Sequence, residues 1–318
     1  IELQCTINLI YEMKIKIIAL YGSFLLVLSS CGSNKLELPQ KNNYTLNKSY
    51  TITDQISSKK PKNIILMIGD GMGLSQISAA IYSSQSNLSL EKFKHIGLIK
   101  THSASSIITD SAAGATAFST GEKTYNGAIN MSIDSIPLTP ITVILNQEKR
   151  KTGIIATSSV THATPAAFYG NQINRYNVNE DLAKQFMLSS IHVLMGGGED
   201  YFTNRKDGLN LIDSLKDKNY TVIDSIVDPI PENTEKLINF CAPKEPVSKN
   251  MGRGEYLSLA TQKGITVLNT NNTDGFFLMI EGSQIDWGGH DNNSNYIISE
   301  TLDFDKAIQI ALDFSKLD

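Results

Sequence analysis

Past Pro61 the chain alternates short, continuously apolar runs with stretches whose apolar positions recur at helical spacing. Three runs stand out. "IILMI" (64–68) leads into Gly69 and Asp70, "GIIAT" (153–157) into "SSVTHAT", and "FFLMI" (276–280) directly into Glu281. Unbroken apolar runs of this length suit strands covered on both faces, because a strand with one wet face alternates instead. Helices are expected over 74–84, 111–119, 179–189, 255–263 and 299–316. The stretch 225–250, with four prolines and mixed charges, is read as an irregular excursion. The pattern predicts an α/β fold, a central and largely parallel sheet sandwiched between helices. Each run delivers a polar or acidic residue to its carboxyl end, where open α/β sheets build their sites.

The first sixty residues follow a different pattern. From Met13 the chain reads "MKIKIIALYGSFLLVLSSC", with two lysines, an apolar stretch too short for a comfortable span, and small residues before Cys31. That is the tripartite form of a secretory signal. "LSSC" resembles the lipobox of bacterial lipoproteins, so lipidation at Cys31 and a periplasmic or cell-envelope location are expected. An ordinary signal peptide with a chance cysteine is the alternative. Residues 32–60, rich in Asn, Lys and Ser, read as a polar tether. The expected organisation is residues 1–31 as upstream residues plus signal peptide, 32–60 as tether, and 61–318 as the folded domain. Cys5 and Cys31 fall in the leader, which leaves Cys241 alone in the body and excludes a disulfide framework there. A net charge of −4 provides no basic footprint for nucleic acid.

Three polar clusters could carry chemistry. In "TDSAAGATA" (109–117), Ser111 is either a helix N-cap or a nucleophile at a helix start, with small neighbours that let a ligand approach. "GDGMG" (69–73) puts Asp70 in a strand-to-helix turn, where a carboxylate repels phosphate but suits a cation; a plain Asp-Gly turn is the alternative. "EGSQIDWGGH" (281–290) offers Glu281, Asp286 and His290, the last two at i, i+4. Gly288 and Gly289 argue for a loose turn rather than a helix. Carboxylate plus imidazole suits zinc, whereas the bland alternative makes Asp286 the cap of a surface helix. "THATPAAFYGNQINR" (161–175) supplies His162, Thr164 and Arg175. A threonine hydroxyl can complete a magnesium shell, and an arginine can grip two phosphate oxygens at once. Taken singly, His162 also fits a structural histidine and Arg175 a solvated surface charge.

Taken together, "KNIILMIGDGMG", "TDSAAGATAFSTGEKTYNGAI", "ATPAAF", "LMGGGEDYF" and "FFLMIEGSQIDWGGH" resemble the alkaline phosphatase family, in the family's order and from about Asn63 onward. The resemblance implies hydrolysis of phosphate monoesters through a phosphoserine at Ser111, with Asp110 as its partner in the motif. It implies two Zn2+ and one Mg2+ per subunit. Asp70 would bridge one zinc and the magnesium, and Ser111 would meet the same zinc. Thr164 and Glu281 would complete the magnesium ligands, Asp286 and His290 would hold the other zinc, and Arg175 would clamp phosphate. His162 and Trp287 stand where other members carry aspartate and lysine or histidine, so Trp287 brings no cation near the phosphate. The resemblance also implies a homodimer, with phosphate monoesters and inorganic phosphate as ligands and the membrane reached through a lipid anchor. Members continue beyond a helix like "TLDFDKAIQIALDFSKL" to further zinc ligands. Only the magnesium set is therefore expected to be complete, and the 318-residue chain is expected to be inactive where its longer parent is a phosphatase. Two other readings remain: a non-catalytic metal- or phosphate-binding lipoprotein, and a relative acting on diesters or sulfate esters. The C/S-x-P-x-R context of sulfatases is absent around Ser111.

Overall fold

The structure, a computed structural model, describes residues 61–316; Cys31, the signal and the tether lie outside the described residues. Six strands form one sheet: β1 (Ile64–Gly69), β2 (Lys151–Ser159), β3 (Val193–Gly197), β4 (Thr221–Ile223), β5 (Leu237–Phe240) and β6 (Phe276–Gly282). Their order is β1-β6-β2-β3-β5-β4, and every pairing is parallel. Ten helices accompany them: α1 (Leu74–Ser83), α2 (Ser111–Thr120), α3 (Ile141–Gln147), α4 (Ala163–Ala166), α5 (Asn179–Phe186), α6 (Asp200–Thr203), α7 (Leu211–Asp217), α8 (Tyr256–Asn269), α9 (Gln284–His290) and α10 (Ser294–Ser315).

Alternation along the central strands divides the core in two. Phe277 and Met279 of β6, with Ile154 of β2, pack on one face against α2, α4, α5 and α7. Phe276, Leu278 and Ile280, with Ile155, pack on the other against α8 and α10. Both faces are dry, which is why these runs are apolar without a break. β1 is an edge strand among the described residues. Its Ile64 is 38% exposed and its other five residues are half-buried, whereas all seven residues of β6 are buried.

The structure corrects the expected pattern in several places. The excursion at 225–250 contains β5, whose four buried residues pair with β3 and β4; a run that short between prolines carries no periodic signal. "QIDWGGH" forms helix α9 instead of a loose turn. A Cβ on Gly288 would sit 2.9 Å from the backbone nitrogen of Ile297, so the glycine lets α9 lie directly against α10. That packing outweighs glycine's poor helix propensity. Asp286 lies inside the helix, with Ser283 at the cap position. Helix α10 starts at Ser294, five residues ahead of expectation, because the Asn293 side chain accepts from the Tyr296 N–H and caps it. No helix among the described residues is long and apolar enough to cross a membrane.

Candidate active site

The carboxyl ends of β1, β6 and β2 lie side by side, with Ile68 opposite Glu281 and Glu281 opposite Ala156. Beyond Gly69 the Asp70 N–H donates to the Gly282 carbonyl at 3.2 Å, which ties the acidic turn to the end of β6. Gly71 follows at φ +62°, and a Cβ there would come within 2.8 Å of the Asp286 Cα. Only glycine takes that conformation cheaply and lets α9 approach this closely.

The cap of α2 is not Ser111 but its neighbour. Asp110 is the N-cap of α2 and accepts from the Ala113 N–H at 3.0 Å. Ser111 is thereby free to face the cleft from the first position of the helix, and its Oγ donates to Asp70 Oδ2 at 2.9 Å. Asp110 has a second task. Its Oδ2 accepts from the Gly127 N–H at 3.0 Å and pairs with Arg175 Nη1 at 3.4 Å. Arg175 Nη2 meets His162 Nε2 at 3.1 Å. Burial, then the guanidinium, push His162 down to about 3, so its ring is neutral and Nε2 can accept. Trp287 stands edge-on to that ring at 5.8 Å. Arg175 is thus an oriented, mostly buried cation rather than a solvated surface charge.

Glu281 is fully buried. Its Oε2 accepts from Ser283 Oγ at 2.6 Å, while its Oε1 has no hydrogen-bond partner. Burial, then the charge of Asp70, hold Glu281 well above the usual carboxylate range. Burial, then Asp286, do the same to Asp70; Ser111 and Arg175 pull it back only in part. Carboxylates crowded in this way have too little positive charge around them, and a hard cation supplies it. Asp70, Glu281 and the buried hydroxyl of Thr164 make an oxygen donor set that fits Mg2+.

Zinc fits less well. His290 Nε2 lies 3.4 Å from Asp286 Oδ2 on α9, with the imidazole 79% exposed, and Asp70 and Ser111 form the other pair. Among the described residues no three His, Cys, Asp or Glu side chains gather as a ready metal cluster. Two donors per position fall short of the three that catalytic zinc takes from protein. Asp70, Ser111, Thr164, Arg175, Asp286 and His290 border one cleft of about 1110 Å3, which also reaches Leu66, Ile99 and Ile108. Neither the role of Ser283 nor that of Asp110 as the cap is legible in the sequence. Both roles depend on which way neighbouring side chains turn.

A hydroxyl at a helix start, a fixed guanidinium and a row of acids define an anion- and cation-binding site at the carboxyl edge of a doubly covered parallel sheet. Residues 61–318 match the family model for alkaline phosphatase, and the chain belongs to that family. It is 36% identical over 272 residues to alkaline phosphatase 3 of Bacillus subtilis, covering 81% of this chain and 58% of that relative. The alkaline phosphatase of the Antarctic bacterium TAB5 superposes with a TM-score of 0.78 at 45% identity, over 82% of this chain and 76% of that one. A histidine-to-glutamate variant of the same enzyme, solved with Mg bound in its M3 site, matches equally well, with a TM-score of 0.77 at 44% identity over 82% of this chain and 75% of that one.

Proposed function

We propose that this chain carries the phosphate-transfer centre of a phosphomonoesterase that works through a phosphoserine at Ser111. The observation that supports it best is the 2.9 Å hydrogen bond from Ser111 Oγ to Asp70, beside an Arg175 gripped from two sides. Asp70 accepts the Ser111 hydroxyl hydrogen and is placed to take the proton as Oγ attacks. Ser111 Oγ attacks phosphorus as the bond to the ester oxygen breaks, and the departing alkoxide takes up a proton. Arg175 and the amino end of α2 stabilise the non-bridging oxygens as their charge redistributes. Water then attacks the phosphoserine from the opposite side, and Ser111 recovers its proton through Asp70. A monoester offers the guanidinium fork one more charged oxygen than a diester does, which favours monoesters as substrates.

Members of the family use zinc and magnesium. Asp70, Thr164 and Glu281 would hold Mg2+, which when bound supplies positive charge and ordered water beside Asp70. No step is assigned to zinc, and turnover by the described residues alone is expected to be weak. An envelope location through lipidation at Cys31 and assembly as a homodimer belong to the same proposal.

The test is acid trapping. After incubation with a chromogenic aryl phosphate and quenching, mass spectrometry is expected to find phosphate on Ser111 and nowhere else. Ser111→Ala is expected to lose both the label and about 1,000-fold or more of any turnover. Unchanged turnover in that variant, or a label on another residue, would overturn the assignment.

A further inference from the structure

Glu281, next to last in β6, has two unlike oxygens: Oε2 is bonded by Ser283, whereas Oε1 makes no comparable hydrogen bond and the Thr164 hydroxyl interacts with the carboxylate more weakly. The difference is made by Ser283, a fully buried residue that the phosphate chemistry does not touch. Its Oγ lies 2.6 Å from Glu281 Oε2 and 3.1 Å from Ser158 Oγ. A hydroxyl has one hydrogen to give, and the carboxylate is both the nearer and the stronger acceptor. Ser158 gives its own hydrogen to the Ser159 carbonyl at 3.2 Å, so its oxygen is a second, more distant acceptor facing the Ser283 hydroxyl. The backbone of Ser283 is fixed as well, since its N–H donates to Thr157 Oγ1 at 2.9 Å. Thr157 and Ser158 are fully buried on β2, so the hydroxyl pair is anchored to the central sheet rather than to a loop.

We propose that Ser283, backed by Ser158, is a positioning residue for the cation that Glu281 binds. By occupying Oε2 it fixes the carboxylate rotamer and leaves Oε1 as the one oxygen offered to a metal. This rests on the reading of Asp70, Thr164 and Glu281 as a magnesium site. Partners of metal ligands in this outer position typically change affinity about 10- to 100-fold when removed.

The experiment measures Mg2+ binding to the purified 318-residue protein by calorimetry, in parallel with the fluorescence of Trp287, its only tryptophan, which borders the same cleft. Ser283→Ala is expected to weaken Mg2+ binding about 10- to 100-fold, with its melting temperature in EDTA unchanged. Ser283→Thr keeps the hydroxyl and is expected to bind within about threefold of wild type. Ser158→Ala is expected to weaken binding about threefold to tenfold, and it carries the test alone should Ser283→Ala not fold. Glu281→Gln separates the two levels of the argument. If it abolishes binding while Ser283→Ala and Ser158→Ala leave it unchanged, the site stands and the positioning role falls. If Glu281→Gln changes nothing, or wild type binds no Mg2+, the magnesium reading itself falls and the proposal with it. A loss of melting temperature in EDTA with Mg2+ affinity intact would make Ser283 merely structural and overturn its role.

Discussion

Asp70 serves three neighbours at once, taking the Ser111 hydrogen while facing the charges of Asp286 and Glu281. Both Asp70 and Glu281 hold protons more tightly when folded than when unfolded. Their contribution to stability is therefore complete below the ordinary carboxylate range and is lost as pH rises through the raised values. A bound cation offsets that loss. Without metal the protein is expected to melt at a lower temperature at pH 8 than at pH 6, and the gain from Mg2+ is expected to grow with pH. Melting curves in EDTA and in Mg2+ between pH 5 and 9 check this, and a gain largest at pH 5 contradicts it. His192, away from the cleft, has the opposite sign. Burial first, then Lys151 and Lys236, push it down to about 4, and its Nδ1 accepts from the Thr152 N–H at 3.3 Å. A neutral buried imidazole stabilises the fold above pH 6.5, and that contribution fades as pH falls toward 4, because the unfolded chain takes up the proton. His192→Gln is expected to flatten the acid limb of a urea-midpoint profile relative to wild type. Residues at this level were legible in the sequence where a strand end or a long motif marked them, as with Asp70, Ser111 and Glu281. Ser283 was not, because its role exists only once β2 lies beside β6.

β1, β2 and β6 could be read because each is an unbroken apolar run, and a run is unbroken when both faces of the strand are covered. β4 and β5, three and four residues long, are too short for any period to show. Helix α9 was obscured by Gly288 and Gly289, of which Gly288 serves the close approach to α10 and not a turn. α10 itself is held at its amino half by charge. Arg253 is almost fully buried and bonds Glu300 through both amino nitrogens, with Asp303 at 3.0 Å from Nη2. Lys249 adds a contact to Asp303 at 2.8 Å. Removing one partner of such a buried set leaves uncompensated charge. Arg253→Ala is expected to cost about 3–5 kcal/mol, read from urea midpoints at constant m. Replacing Arg253, Glu300 and Asp303 together with apolar residues of similar volume is expected to recover most of that loss. If the single variant costs under about 1 kcal/mol, the network is not holding α10.

The sheet has unequal sides. β6 and β2 are sealed, while β1 runs along an open margin with half-exposed apolar residues. The described surface also carries Ile96, Leu98, Ile107 and Ile108, all largely exposed, with Leu98 at 96% and Ile107 at 88%. Ile107 and Ile108 border the same cleft as Leu66 of β1. An edge strand with unpaired backbone groups next to a concentration of bare aliphatic side chains is a template for association, and a net charge of −4 opposes it only weakly. The 34.9 kDa chain is therefore expected to self-associate in proportion to its concentration. Light scattering coupled to size-exclusion chromatography measures this directly. Leu98→Lys with Ile107→Lys is expected to shift the mass toward the monomer, since charge placed on such a surface repels a second copy. Leu98 is not among the residues lining the cleft, so Leu98→Lys alone is expected to leave Mg2+ binding unchanged. A wild-type chain that stays monomeric to about 100 μM, or an associated state indifferent to both lysines, would show that this margin is covered by other parts of the protein.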